Sequence, residues 1–373
     1  MQLSILYQLI EVNIPSSESK EKVIITRNGD LRMNNRLKQD DEIQSVIQKL
    51  IVTAGGDPET FEAELVKQII ETAIKLLNEK HDLGQLKVIT RSIKEMRHAY
   101  NIFTQYKTGP CISIFGSART PEDHPDYQAA KIFSTDLAKE GWMCITGAAN
   151  GIMKASAEGP QKEQSFGLSI RLPFETPTNT LIEGDPKLIH FRFFFTRKLM
   201  FMSHSQALAA FPGGFGTMDE VFEMLTLIQT GKSNIIPIVL IEGVDGTYWR
   251  DWQNYVKDHL LRNRWISPED ERLFFVAQSP QDGVKHILKF YSRYHSNRYV
   301  KDTLVIRLLT ALTPEQIELL NDKYKILLAS GSIQASSPLP GENDHLELPR
   351  LAFHHTRRDF AILRMMIDEI NNF

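Results

Sequence analysis

Along the 373-residue chain the spacing of apolar positions changes twice. Residues 1 to about 106 open with two runs that read as extended, SILYQLIEV and EKVIITRNGDLRM, the second broken by the turn pair Asn28-Gly29. From about 41 to 104 apolar residues recur every three or four positions, as in DDEIQSVIQKLIVTAG and PETFEAELVKQIIETAIKLLNEK. That period predicts amphipathic helices with solvated charged faces. Residues 107 to about 295 instead alternate strand-length apolar runs with helical stretches: CISIF (111–115), WMCIT (142–146), FGLSI (166–170), ALAAF (207–211) and IIPIVLI (235–241). Such alternation predicts an α/β fold, a doubly wound, Rossmann-like parallel sheet with helices on both faces. Beyond about 296 the pattern shortens. DTLVIRLL and KILLASGSI read as strands flanking a capped helix, TPEQIELLNDKY; a polar loop, LELPRLAFHH and a closing helix follow. The expected divisions are 1–106, 107–295 and a small α/β accessory region, 296–373.

Composition narrows the function. Hydrophobic residues make up 42% of the chain and charged residues 24%, with a formal net charge of −3. Without a basic excess or a Lys/Arg block there is no footprint for nucleic acid. No apolar run reaches the roughly 18–20 residues that span a membrane. The first residues lack a basic segment before their apolar run and carry Glu11 soon after, so they make a poor signal peptide and the expectation is a cytoplasmic protein. The two cysteines, Cys111 and Cys144, fall inside apolar strand runs and read as small core residues.

Glycines then mark an edge. Three glycine-containing turns each follow a predicted strand: GSART after 111–115, GAANGIM after 142–146 and PGGFGT after 207–211. In a parallel sheet such turns gather on the carboxyl edge, where ligands bind. Their backbone N–H groups, and the start of a helix near Thr217, favour an anion, and a nucleotide phosphate fits best. TGKS (230–233) is not a phosphate loop, because Thr226 occupies the first glycine position and the segment ends a helical pattern; it reads as a helix C-cap. Asp219 stands where a dinucleotide fingerprint needs its third glycine, and no spacing suggests a metal, so neither a cofactor nor a metal is expected.

Behind the third turn, Asp219 and Glu220 are expected in the first turn of the helix. There Asp219 serves the helix dipole, and Glu220 is a candidate catalytic carboxylate. Upstream, HFRFFFTRKLMFM (190–202) leads through Phe191, Phe193, Phe194 and Phe195, read as core, to Arg197 and Lys198. Those cations are available to a phosphate or to charge that develops in a reaction. His190 and His204 read as structural.

Taken together, RKLMFMSHSQALAAFPGGFGTMDE resembles the signature of the Lonely Guy (LOG) family, Arg-Lys followed by Pro-Gly-Gly-x-Gly-Thr-x-x-Glu. GAANGIM resembles the family's second glycine turn, and IRLPFETPTN its Leu-Pro-x-Glu segment. The resemblance covers about 107–295. Family members, often labelled lysine decarboxylases, hydrolyse the N-glycosidic bond of nucleoside 5′-monophosphates such as AMP or cytokinin riboside monophosphates, releasing base and ribose 5-phosphate. By position, the resemblance implies a catalytic pair in Arg197 and Glu220. Gly116, Ser117, Lys198, Gly213, Gly214, Gly216 and Thr217 would line the phosphate and ribose, and Gly147, Gly151, Met153, Glu175 and Thr226 would meet the rest of the substrate. A homodimer or larger homo-oligomer is also implied. Two departures stand out: Ser205-Gln206-Ala207 replaces the usual Ser-Asp-Ala, and the second turn opens Gly-Ala-Ala where many members have three glycines. The alternative is a non-enzymatic nucleotide or cofactor carrier on the same fold, whose relatives typically lack the Arg and Glu. Pyridoxal phosphate chemistry is a poor fit, for no lysine stands in a Schiff-base setting.

Overall fold

The structure, a computed structural model, describes residues 41–172 and 179–373. The extended runs expected before residue 41, and Glu175, lie outside these residues. The described chain forms two compact units, one ending at Lys94 and one spanning Glu95–Phe373. The first is helical, as its spacing predicts: α1 (41–53), α2 (Phe61–Asn78) and the first part of α3 (Leu83–Tyr106). Its small core joins Ile47, Ile51 and Ala63. Thr60 caps α2 by accepting from the Ala63 N–H at 3.3 Å.

The second unit is built on a seven-stranded sheet in the order β4-β3-β2-β1-β5-β6-β7, parallel at every pairing. The strands are β1 (Cys111–Phe115), β2 (Met143–Thr146), β3 (Ser165–Ile170), β4 (Leu188–Phe191), β5 (Ala207–Ala210), β6 (Ile238–Leu240) and β7 (Phe274–Val276). Five follow from the apolar runs; β4 and β7 do not, being short strands at the two edges. Burial on both faces explains the continuous apolar runs. In β1, Cys111 and Phe115 enter the core of one face while Ile112 and Ile114 enter the other. One face is covered by α4 (Pro125–Lys139), α5 (Ile152–Glu158) and α9 (Pro280–Phe290), and the other by α3, α6 (Phe194–His204), α7 (Phe215–Gln229) and α8 (Tyr248–Tyr255). Both cysteines are buried and free.

The chain reverses direction across the sheet between β1 and β5, so the crevice of the doubly wound fold opens there. All three glycine turns flank it.

A second sheet, antiparallel in the order β10-β11-β9-β8, follows: β8 (Tyr294–Val300), β9 (Thr303–Leu308), β10 (Leu328–Ser336) and β11 (Arg350–His355), with α10 (Pro314–Lys323) and α11 (Phe360–Ile370). Strand β8, YHSNRYV, was not expected, because only Tyr294 and Asn297 along it are buried. Thr313 and Gln316 form the capping box that starts α10. Leu304, Ile306, Leu351 and Phe353 belong to the same continuous core as the parallel sheet's α7 and α8.

Candidate active site

The turn after β5 carries most of the site. Helix α7 begins at Phe215, two residues before the expected start, with Gly214 as its N-cap. Gly214 has no side chain to cap with, so the orphan N–H groups of the first turn remain available to an anion. A side chain at Gly214 or Gly216 would meet no other atom, so the outer side of the turn is open. The turn itself is held firmly. Its Pro212 carbonyl accepts from the Ser117 N–H at 3.0 Å, and its Gly213 carbonyl accepts from the Tyr248 hydroxyl at 2.6 Å. Thr217 is buried against Gly213.

The other two turns close on this one. The Ser117 carbonyl accepts from the Ile152 N–H at 3.0 Å, joining the turn after β1 to the turn after β2. Gly151 has φ of +62°, and a Cβ there would strike the Ser117 carbonyl, which explains the glycine on two counts. At Gly147 a Cβ would collide with the Arg197 guanidinium and would lie 2.7 Å from Met153 Sδ. The expected residues Gly116, Ser117, Gly147, Gly151, Met153, Arg197, Gly213 and Thr217 therefore meet at one place on the carboxyl edge.

Ala148, the second residue of the Gly-Ala-Ala turn, is buried and carries φ of +60°. Its N–H donates to Thr146 Oγ1 at 3.2 Å and its carbonyl accepts from the Asn179 N–H at 3.0 Å, bonds that hold the left-handed backbone.

Helix α6 presents the cations. Its N-cap, Phe193, offers no side-chain bond. Instead Glu95, on α3, accepts from the Arg192 N–H at 3.0 Å and from Thr196 Oγ1 at 2.8 Å. A carboxylate is well placed at that positive helix end. One turn in, Arg197 Nε donates to the Leu168 carbonyl at 2.8 Å, and the guanidinium lies 5.2 Å from the Phe201 ring centre. Burial lowers its pKa to about 10, against the pull of the Glu220 charge, so it stays protonated at neutral pH. Of the expected core phenylalanines, Phe191 is buried, but Phe194 and Phe195 are exposed on the first turn of α6.

Asp219 and Glu220 lie in the second turn of α7, not the first, because the helix starts early. Asp219 consequently leaves the reach of the N-terminal dipole and pairs with Lys198 at 2.7 Å. Glu220 is 7% exposed, and its Oε2 is buried with no hydrogen-bond donor among the described residues. Lys198 Nζ stands 3.7 Å from that oxygen. Burial pushes the Glu220 carboxyl up to about 7; Lys198 and Arg197 pull it down, and Asp219 and Glu223 push it up. The sequence assigns Lys198 to the phosphate. In the structure its ammonium is held by Asp219, Glu220 and, at 2.5 Å, Glu223. Thr226 is exposed two turns along α7 from Glu220, with its hydroxyl donating to the Phe222 carbonyl at 2.7 Å, away from the glycine turns.

Two residues beside the site, Tyr248 and Glu95, had no sequence signal, and a third, Asn179, closes the IRLPFETPTN segment without standing out in it. Asn179 is buried next to the Ala148 carbonyl, and its Nδ2 has no hydrogen-bond partner among the described residues. His204 is buried and stacks on Phe103 at 3.7 Å between ring centres, a packing role as expected.

Part of this chain is similar to known proteins. A family described as "Possible lysine decarboxylase" matches residues 147–287. Two cytokinin riboside 5′-monophosphate phosphoribohydrolases from Arabidopsis thaliana are 28% and 31% identical over 99 and 94 residues, or 26% and 25% of this chain and 44% and 42% of theirs. A probable enzyme of the same name from Oryza sativa subsp. japonica is 32% identical over 99 residues, covering 26% of this chain and 44% of its own. The match thus spans under half the length of these relatives. Among solved structures, a molybdenum cofactor binding protein from Rippkaea orientalis aligns with 48% of this chain and 95% of its own at 20% identity and a TM-score of 0.35. A molybdenum cofactor carrier protein from Chlamydomonas reinhardtii aligns with 48% of this chain and 98% of its own at 20% identity and a TM-score of 0.34. Over residues 147–287, by this family match and these curated relatives, the chain is similar to the Lonely Guy family.

Proposed function

We propose that the glycine-turn site hydrolyses the N-glycosidic bond of nucleoside 5′-monophosphates of the AMP or cytokinin riboside type, giving free base and ribose 5-phosphate. The observation that carries this reading is Glu220: a buried carboxylate beside a phosphate-type cradle, with Oε2 lacking any hydrogen bond among the described residues. A structural carboxylate at that depth would be satisfied by donors. One left open faces charge that is still to develop.

Breaking the bond between C1′ and the base builds positive charge on the sugar, and a fixed carboxylate stabilises it. The backbone donors at Gly213, Gly214 and Gly216 hold the 5′-phosphate, with Thr217 beside them, and so set C1′ against Glu220. Arg197, locked through Nε to Leu168, turns its remaining donors toward the substrate. Water adds to C1′ as the base leaves, so one nucleotide and one water give one base and one sugar phosphate. With a pKa of about 7, the carboxylate is ionised in an increasing fraction of molecules as pH rises through neutrality.

Incubation of the purified full chain with a panel of nucleoside monophosphates, with ribose 5-phosphate detected enzymatically, tests the reading. Equimolar release of base and ribose 5-phosphate is the expected result. Binding of AMP without turnover of any member of the panel would replace the enzyme with a carrier.

A further inference from the structure

A cavity of about 980 Å³ opens at the carboxyl ends of β6 and β7, away from the glycine turns. It shares no lining residue with the site described above. Its volume is at the upper end for small-molecule sites, and its lining follows the edge strand β7 from Glu271 and Arg272 before it to Gln278 beyond it. Two of its walls carry arginines, Arg250 on α8 and Arg272 just before β7.

The charges around it are not treated alike. Among its carboxylates, Asp368 takes the Nε of buried Arg364 at 3.0 Å, Glu271 has Lys257 at 3.9 Å, and Glu242 accepts from the Trp249 N–H at 3.4 Å. His286 is already committed too, with its Nε2 against Arg364 Nη2 at 3.2 Å and its ring stacked on Phe275 at 4.1 Å. Since a guanidinium can only donate, that nitrogen is the acceptor and the imidazole is neutral. Arg250 and Arg272 make no hydrogen bond or close ion pair with any described residue, although Glu242 feels the charge of Arg250 and Asp368 that of Arg272; Asp245, on the same lining, makes no such bond either. Both arginines are exposed at the cavity wall. Two exposed guanidinia, from separate segments and facing one cavity, fit an anion with more than one charged group. Their planar forks match phosphate oxygens.

We propose that this cavity is a second ligand site, built for a nucleotide carrying two phosphates, with Arg250 and Arg272 on the phosphates and Ile132, Phe275 and Val276 against the base. The proposal goes beyond the hydrolytic reading and does not depend on it, since no residue of that reaction lines the cavity.

Isothermal titration of the full chain with ADP, and separately with pyrophosphate, measures the site directly. The comparison is with the double variant Arg250→Ala/Arg272→Ala. Both side chains are exposed and make no close ion pair, so the variant should melt at the wild-type temperature. The expected result is a binding event for each probe that the double variant loses or weakens at least tenfold, with ADP tighter than pyrophosphate. Unchanged ADP and pyrophosphate binding in the double variant overturns the proposal. So does the absence of any binding by wild type. Loss of AMP hydrolysis in Glu220→Gln, or its absence in wild type, leaves this titration untouched, so the two readings fail separately.

Discussion

Arg307 and Arg350, on β9 and β11, are as deeply buried as Glu220 on α7, yet their charges are answered by carboxylates. Arg307 Nη2 meets Glu342 Oε1 and Asp344 Oδ1, each at 2.7 Å, and Arg350 Nη1 meets Glu342 Oε2 at 2.8 Å. Burial pushes the Glu342 carboxyl up, but the Leu339 N–H and the two arginines outweigh it and leave it below its ordinary value. At the glycine turns the balance runs the other way, and burial raises Glu220 to about 7 with an oxygen left unbonded. One region uses buried charge to hold strands together. The other keeps buried charge in a state that costs the fold stability. Glu220 stands above an unfolded glutamate, so its cost is full above pH 7 and fades as pH falls toward 4.5. Glu342 has the opposite sign, with a contribution present above the unfolded value and lost in acid.

The largest effect that separates the regions is at Glu220. Glu220→Gln should lower kcat for AMP by about 10²–10⁴-fold, the range for a positioned charge or proton-transfer group. Its melting temperature should equal or exceed that of wild type at pH 8, because the amide removes the penalty of a buried carboxylate. Arg197→Ala should lose activity by a similar factor. A mutant that melts well below wild type would place Glu220 with the structural charges instead.

The mirror-image experiment is Glu342→Ala. Removing it leaves Arg350 buried without its carboxylate, and the loss should be about 3–5 kcal/mol in urea unfolding. Activity per folded molecule should hold at its wild-type value. If turnover fell while stability held, the C-terminal network would belong to the site.

A finer cut comes from Lys198, the largest of the charges that pull the Glu220 pKa down. With Lys198→Met the carboxyl should rise above 7, and the acid limb of kcat/KM should move to higher pH. The pH profile is the readout, because loss of a merely structural ion pair would lower the rate without moving the limb. An acid limb that stays near pH 7 would detach Lys198 from Glu220.

What the sequence made legible follows from the same physics. Strands buried on both faces, such as CISIF and ALAAF, leave long apolar runs and could be read directly. The edge strands β4 and β7 span only Leu188–Phe191 and Phe274–Val276, and β8 alternates around polar residues, so none of them gave such a run. Gly213, Arg197 and Glu220 were visible because glycine and charge are unusual beside apolar strands. The start of α7 was not, since Gly214 caps without a side chain. Tyr248 bonds a carbonyl 35 residues away and Glu95 an N–H 97 residues away. Roles made by packing at such separations leave no local pattern. The carboxylates that hold Lys198 were in plain view, but their convergence on one ammonium depends on how α6 and α7 pack.

The smallest expected effect concerns Ala148, where the chain holds a non-glycine residue at positive φ beside the site. Left-handed backbone costs an alanine about 1–2 kcal/mol, which Ala148→Gly would recover. Against that, glycine adds unfolded-chain entropy worth about 0.4–1 kcal/mol, and the buried methyl contributes about 0.8 kcal/mol. The terms nearly cancel, so the substitution should shift the melting temperature by no more than about 2–4 °C. That balance explains how the turn accepts alanine there. The methyl lies against Gly167, on β3, one residue before the carbonyl that Arg197 Nε holds. If Ala148→Gly leaves melting unchanged but raises KM for AMP, the methyl serves to seat Arg197. If melting rises by more than about 4 °C, the strain is uncompensated, and the active-site region stores it in the backbone as well as in the buried charge of Glu220.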